Sequence, residues 1–112
     1  MHNHSVDLID IFSYIIQSDK KVSSEEIDFI SRYLKKNYTK EEGDLLFKRL
    51  LNSLDTRPDL ESILTRLSGY FKNDYAKKIE FIIHLYELIA IDEVDIRELN
   101  IFNNICGFLD IE

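Results

Sequence analysis

The chain has little of what loop-rich and all-β folds are built from. Its 112 residues include three glycines and one proline. Both residue types punctuate turns, so their scarcity argues against a sandwich, a barrel or a long irregular segment. A lone cysteine, Cys106, excludes an intrachain disulfide framework and fits a reducing compartment. No apolar run is long enough to span a bilayer: the best stretch, Ile79 to Ile91, is interrupted by Glu80, His84 and Glu87. The opening Met1-His2-Asn3-His4 has no basic region leading into an apolar run and a cleavage site, so no signal peptide is read there. The expected location is the cytoplasm.

Hydrophobic residues make up 45% of the chain, enough for a core without staples, and the length suits one domain over residues 1–112. Charge is unbalanced, with 14 basic against 21 acidic residues and a net of -7. Such a surface repels phosphate backbones and anionic lipid, so neither nucleic acid nor membrane insertion is expected. A cation or a basic patch on a protein partner is the electrostatic complement. The plainer account is that the charge keeps a small domain in solution.

Apolar spacing predicts six helices. The first, Ser5 to Ser18, leaves only Asp7, Asp10, Ser13 and Gln17 as a narrow polar stripe and should be buried on most sides. Ser23 with Glu26, and Thr39 with Glu42, have the spacing of capping boxes, in which the hydroxyl accepts from the third helical N–H and the acid reaches back. They open a second helix ending about Asn37 and a third carrying Leu46, Phe47, Leu50, Leu51 and Leu54. Pro58 suits the first turn of a fourth helix, and Gly69 stands where a left-handed cap would end it. The fifth, about Asp74 to Ile91, is the most apolar and is expected at the centre, with Lys77, Glu80, His84 and Glu87 as its polar stripe. Asp95 and Glu98 form another capping-type pair before a sixth helix, where Gly107 is awkward. The expected fold is all-α, a compact bundle of about six helices on short loops.

Two of the hairpins repeat. With Asp19 laid over Asp92, Leu8, Phe12, Ile15 and Ile16 fall on Phe81, Leu85, Leu88 and Ile89. Past the loops, the second of which is one residue shorter, Glu26 falls on Glu98, Ile30 on Phe102 and Leu34 on Cys106. Loop acid, capping acid and apolar spacing agree together, as expected of pseudo-twofold-related helix–acidic loop–helix hairpins.

The run Ile15-Ile16-Gln17-Ser18-Asp19-Lys20-Lys21-Val22-Ser23-Ser24-Glu25-Glu26-Ile27 resembles the first signature of TerB-like domains. Those domains occur in tellurite-resistance TerB proteins and at the N-terminus of the DnaJ-like co-chaperone DjlA. Leu88-Ile89-Ala90-Ile91-Asp92 through Glu98, with Ile105 to Ile111, resembles the second signature and the closing helix. The resemblance implies a helical fold whose loop acids bind divalent cations, or a sensing and interaction module beside other domains. The matching residues are Asp19, Glu25 or Glu26, Asp92 and Glu98. Two departures stand out. Lys20 and Glu93 replace the family's glycine after each loop aspartate, and Lys20 and Lys21 bring positive charge beside Asp19. The His-Pro-Asp of a J-domain is absent. An N-terminal domain excised from a longer protein would end as this chain does, at Ile111-Glu112; a natural stop is the alternative.

The candidate metal ligands are therefore Asp19, Glu26, Asp92, Asp95 and Glu98, with Ca²⁺ or Mg²⁺ as the hard cation that carboxylates suit. The register after Asp92 is not that of an EF-hand. Capping and the helix dipole account equally for Glu26, Asp95 and Glu98. His84 with Glu80 and Glu87 is expected as an ordinary surface cluster, and Cys106 as a small inward hydrophobe without nucleophilic activation. No catalytic residue is assigned. The leading expectation is a non-enzymatic interaction or sensing module that presents an acidic helical surface to a protein partner. The alternative is a metal-dependent stress-response protein or enzyme whose acidic site forms where the loops meet.

Overall fold

The computed structural model describes residues 3–18, 22–54, 56, 59–91 and 96–110. Among them are six α-helices and no strand: α1 (Asn3–Ile16), α2 (Ser24–Asn37), α3 (Lys40–Asn52), α4 (Leu60–Phe71), α5 (Tyr75–Ile89) and α6 (Ile96–Phe108). This is the all-α bundle that the sequence predicts.

Ser23 and Thr39 cap α2 and α3 where the sequence places them, Thr39 without the reciprocal half of its box, and the Asp95 cap of α6 lies outside the described residues. Ser23 accepts from the Glu26 N–H while Glu26 Oε1 accepts from the Ser23 N–H at 2.9 Å, a complete capping box. Thr39, Asp59 and Asp74 cap α3, α4 and α5 in the simpler one-sided way. Two glycines behave otherwise than expected. Gly69 lies inside α4, which runs on to Phe71, and no described glycine has positive φ. Gly107 likewise stays helical, and the left-handed residue after α6 is Asp110 at φ 61°. A short polar side chain tolerates that region at modest cost. The Pro58 turn lies outside the described residues.

The central helix is α1, not α5. It packs against α3, α4, α5 and α6. Ile9, Ile11, Phe12, Ile15 and Ile16 are all essentially without solvent contact. Asp7, Asp10 and Ser13 of its polar stripe are buried too, Gln17 is half-buried, and every member has a partner. The Asp7 carboxylate accepts from Arg66 of α4 and that of Asp10 from Arg49 of α3, each through the Nε and Nη2 nitrogens. These hydrogen bonds push both guanidinium pKa values further above their ordinary range. One turn on, Ser13 lies 2.9 Å from the Ser53 hydroxyl, and Gln17 Nε2 donates to Ser13 Oγ and to the Ser53 carbonyl. A helix surrounded on all sides can keep polar residues only if each is hydrogen-bonded, and α3 and α4 supply that.

The repeat is visible in burial and packing. Phe12 and Leu85, Ile15 and Leu88, Ile16 and Ile89, and Glu26 and Glu98 are buried alike. α1 packs on α6 as α2 packs on α5, the exchange that a pseudo-twofold relation requires. The symmetry weakens beyond the capping acids. Ile30 and Leu34 are buried whereas their counterparts Phe102 and Cys106 are half-buried, because α3 packs more extensively on α2 than α4 does on α6.

Candidate functional site

Of the five metal-ligand candidates, Asp19, Asp92 and Asp95 lie outside the described residues. Glu26 and Glu98 are each 4% exposed. One oxygen of Glu26 is committed to its capping box. Among the described residues no group of three or more His, Cys, Asp or Glu side chains is arranged to hold a metal ion.

The polar groups that do converge lie elsewhere, in an open cleft of about 230 Å³ where four helices meet. α1 contributes His4, Ser5 and Leu8 from its first turns. Tyr33, Asn37 and the following Tyr38 come from the end of α2, and Tyr70 and Phe71 from the end of α4. α5 lines the remaining wall with Lys77, Glu80, Phe81 and His84. Leu8, Phe71 and Phe81 are buried and make an apolar floor. Phe71 stacks on Phe81 with centroids 5.5 Å apart.

The rim is polar and aromatic. His4 stacks on Tyr70 at 4.0 Å, and Tyr38 donates from Oη to Ser5 Oγ at 3.0 Å. Lys77 Nζ donates to the Tyr70 hydroxyl at 3.4 Å, a contact that raises the pKa of its ammonium. His84 is flanked by Glu87 at 3.3 Å and Glu80 at 3.8 Å. Tyr33 presents its ring edge-on to Phe12 and His84. Burial pushes the Tyr33 hydroxyl pKa far up, and Tyr38 and Glu80 add to the effect. Its own hydroxyl makes no hydrogen bond with the described residues, which leaves it a neutral donor in the cleft wall.

Sequence reasoning read Lys77, Glu80 and His84 as a polar stripe and Tyr33 as an inward core residue of the second helix, and assigned no site role to Tyr33, Tyr38 or Asn37. The signal was partial. The stripe marks one wall of the cleft, but the opposing wall comes from helix ends far away in the chain, and spacing within a helix does not report them.

A second surface lies across α5 from this cleft. Ile83 and Tyr86 are 52% and 55% exposed, and the Tyr86 ring meets Phe102 of α6 at 5.9 Å. The antiparallel register of the two helices is held by Lys78 Nζ donating to the Leu109 carbonyl at 2.8 Å. Helical spacing puts Ile79, Ile83, Tyr86 and Ala90 on one stripe, with Glu80 and Glu87 along its far edge. Cys106 is half-buried, and desolvation raises its thiol pKa, the opposite of nucleophilic activation. No helix among the described residues is long and apolar enough to cross a membrane. Comparison with models of known families, with curated proteins and with solved structures finds no match to this chain, so the TerB-like resemblance rests on the quoted residues alone.

Proposed function

We propose that this chain is a non-enzymatic, cytoplasmic interaction or sensing module of the TerB-like type, which docks a protein through the α5–α6 face. The observation that supports this reading is the exposure of Ile83 and Tyr86 on α5, continuous with Phe102. Scattered surface hydrophobes need no explanation, but an apolar stripe shared by two helices does. Tyrosine at the middle of such a stripe is a typical anchor residue. Glu80 and Glu87 set the charge along one edge, and the net charge of -7 keeps the surroundings acidic. The complementary partner is a basic amphipathic helix, with apolar side chains over Ile83 and Tyr86 and lysines or arginines opposite the glutamates.

The test is a pull-down from cell extract with the whole chain as bait, read against two variants. Ile83→Glu with Tyr86→Glu removes the apolar anchor, and Glu80→Lys with Glu87→Lys reverses the edge. A partner captured by the parent chain should be lost with the first pair, and weakened with the second more at low salt than at high salt. A partner retained by both pairs would place docking on another face.

A further inference from the structure

We propose that the cleft between α1, α2, α4 and α5 binds a small zwitterion with an apolar side chain, a free α-amino acid of the leucine or phenylalanine kind. The size comes first. At about 230 Å³ the cleft falls below the roughly 300–1,000 Å³ of sites for drug-sized ligands. It suits a single amino acid better than a nucleotide or an extended peptide.

The charges come second. Lys77 and Glu80 stand three residues apart on α5, so their Cβ atoms are about 5–6 Å apart on one face. They do not pair with each other: among the described residues Lys77 has no carboxylate within 4 Å, and Glu80 lies 3.8 Å from the His84 imidazole. A simple anion drawn to Lys77 meets the Glu80 carboxylate, and a simple cation drawn to Glu80 meets the Lys77 ammonium. A zwitterion satisfies both. Its carboxylate sits on Lys77 and accepts from the Tyr33 hydroxyl, which makes no hydrogen bond among the described residues, and its ammonium sits on Glu80. The side chain is then directed onto Leu8, Phe71 and Phe81, the apolar floor.

This inference shares Glu80 with the edge of the docking face but not its apolar anchors, so Ile83→Glu with Tyr86→Glu should leave amino-acid binding unchanged while Lys77→Gln weakens it. Binding of L-phenylalanine and L-leucine to the whole chain is followed by amide NMR and calorimetry. The comparison ligands are 3-phenylpropionate, which lacks the ammonium, and phenethylamine, which lacks the carboxylate. The expected result is saturable shifts at Tyr33, Asn37 and residues 77–84, with dissociation constants of about 1 mM or tighter. Both truncated ligands should bind at least about tenfold more weakly, as expected when one charged contact is lost. Lys77→Gln and Glu80→Gln should each weaken L-phenylalanine to a similar degree, and Tyr33→Phe by a few-fold. The two charged side chains are exposed, so these variants should keep the far-UV circular dichroism of the parent. Three results overturn the proposal: no saturable shift with either amino acid at about 10 mM, a truncated ligand binding as well as its parent, or full affinity in both charge variants.

Discussion

The buried polar stripe of α1 makes a quantitative prediction. Asp10 is 7% exposed and receives two charge-assisted hydrogen bonds from Arg49, at 3.0 and 2.9 Å. Each arginine also feels the other aspartate, so the two acids and two arginines act as one cluster. Arg49→Met strands a nearly buried carboxylate one helical turn from Asp7. Stranding one member of a fully buried pair costs about 3–5 kcal/mol, and an exposed pair is worth at most about 1. The Arg49 side chain is 50% exposed and that of Asp10 10%, which places this pair between the limits, at about 2–3 kcal/mol. For a chain of this length that is a fall of about 10 °C in Tm. Asp10→Leu together with Arg49→Met removes both charges and fills the volume, and should lie within about 1 kcal/mol of the parent. The coupling energy is then about 2 kcal/mol, read from urea unfolding of the four chains by circular dichroism. A coupling below about 0.5 kcal/mol would show that the pair behaves as a surface ion pair and that Asp10 does not depend on Arg49 for its burial.

Two further outcomes follow from single side chains. Ser23→Ala removes the acceptor of the α2 capping box and should cost about 1 kcal/mol in urea unfolding, with Ser23→Asp recovering most of it; a loss below about 0.3 kcal/mol would mean that the box is not formed in solution. Tyr33 has a folded pKa raised by burial, so the folded state holds its proton where the unfolded chain, ionising near about 10, has lost it. Its contribution is complete below pH about 10 and is lost as pH rises beyond that, so the parent should lose stability between pH about 9.5 and 11 more steeply than Tyr33→Phe.

The fold was legible because its signals are local. The Ser23–Glu26 box, the 3.6-residue apolar spacing of α1 and α5, and the paired acids Glu26 and Glu98 can each be read from a short window. The centre of the bundle was not legible in the same way. α5 has the greater apolar content, yet α1 takes the middle, because the acids on its stripe are answered by Arg49 and Arg66 from helices that follow long afterwards. Nothing within α1 reveals that Asp7 and Asp10 will be neutralised. Likewise Tyr33 and Lys77 line one cleft only because α2 packs on α5. The glycines misled for a related reason: Gly69 and Gly107 keep ordinary helical dihedrals where tertiary packing continues the helix past them.

The pairing of α1 with its two arginines also amounts to an address. Asp7 answers to Arg66 on one neighbour and Asp10 to Arg49 on another, so sliding α1 by a turn, or turning it about its axis, misplaces both at once. A chain divided in the segment between Ser18 and Val22 should therefore reassemble from its two fragments in a single alignment. If the signs were exchanged on both sides, with arginine at positions 7 and 10 and aspartate at 49 and 66, the reversed fragments should recognise each other and refuse the originals. The same four side chains that let a polar helix be buried thus give the domain a code by which matched halves can be told from mismatched ones.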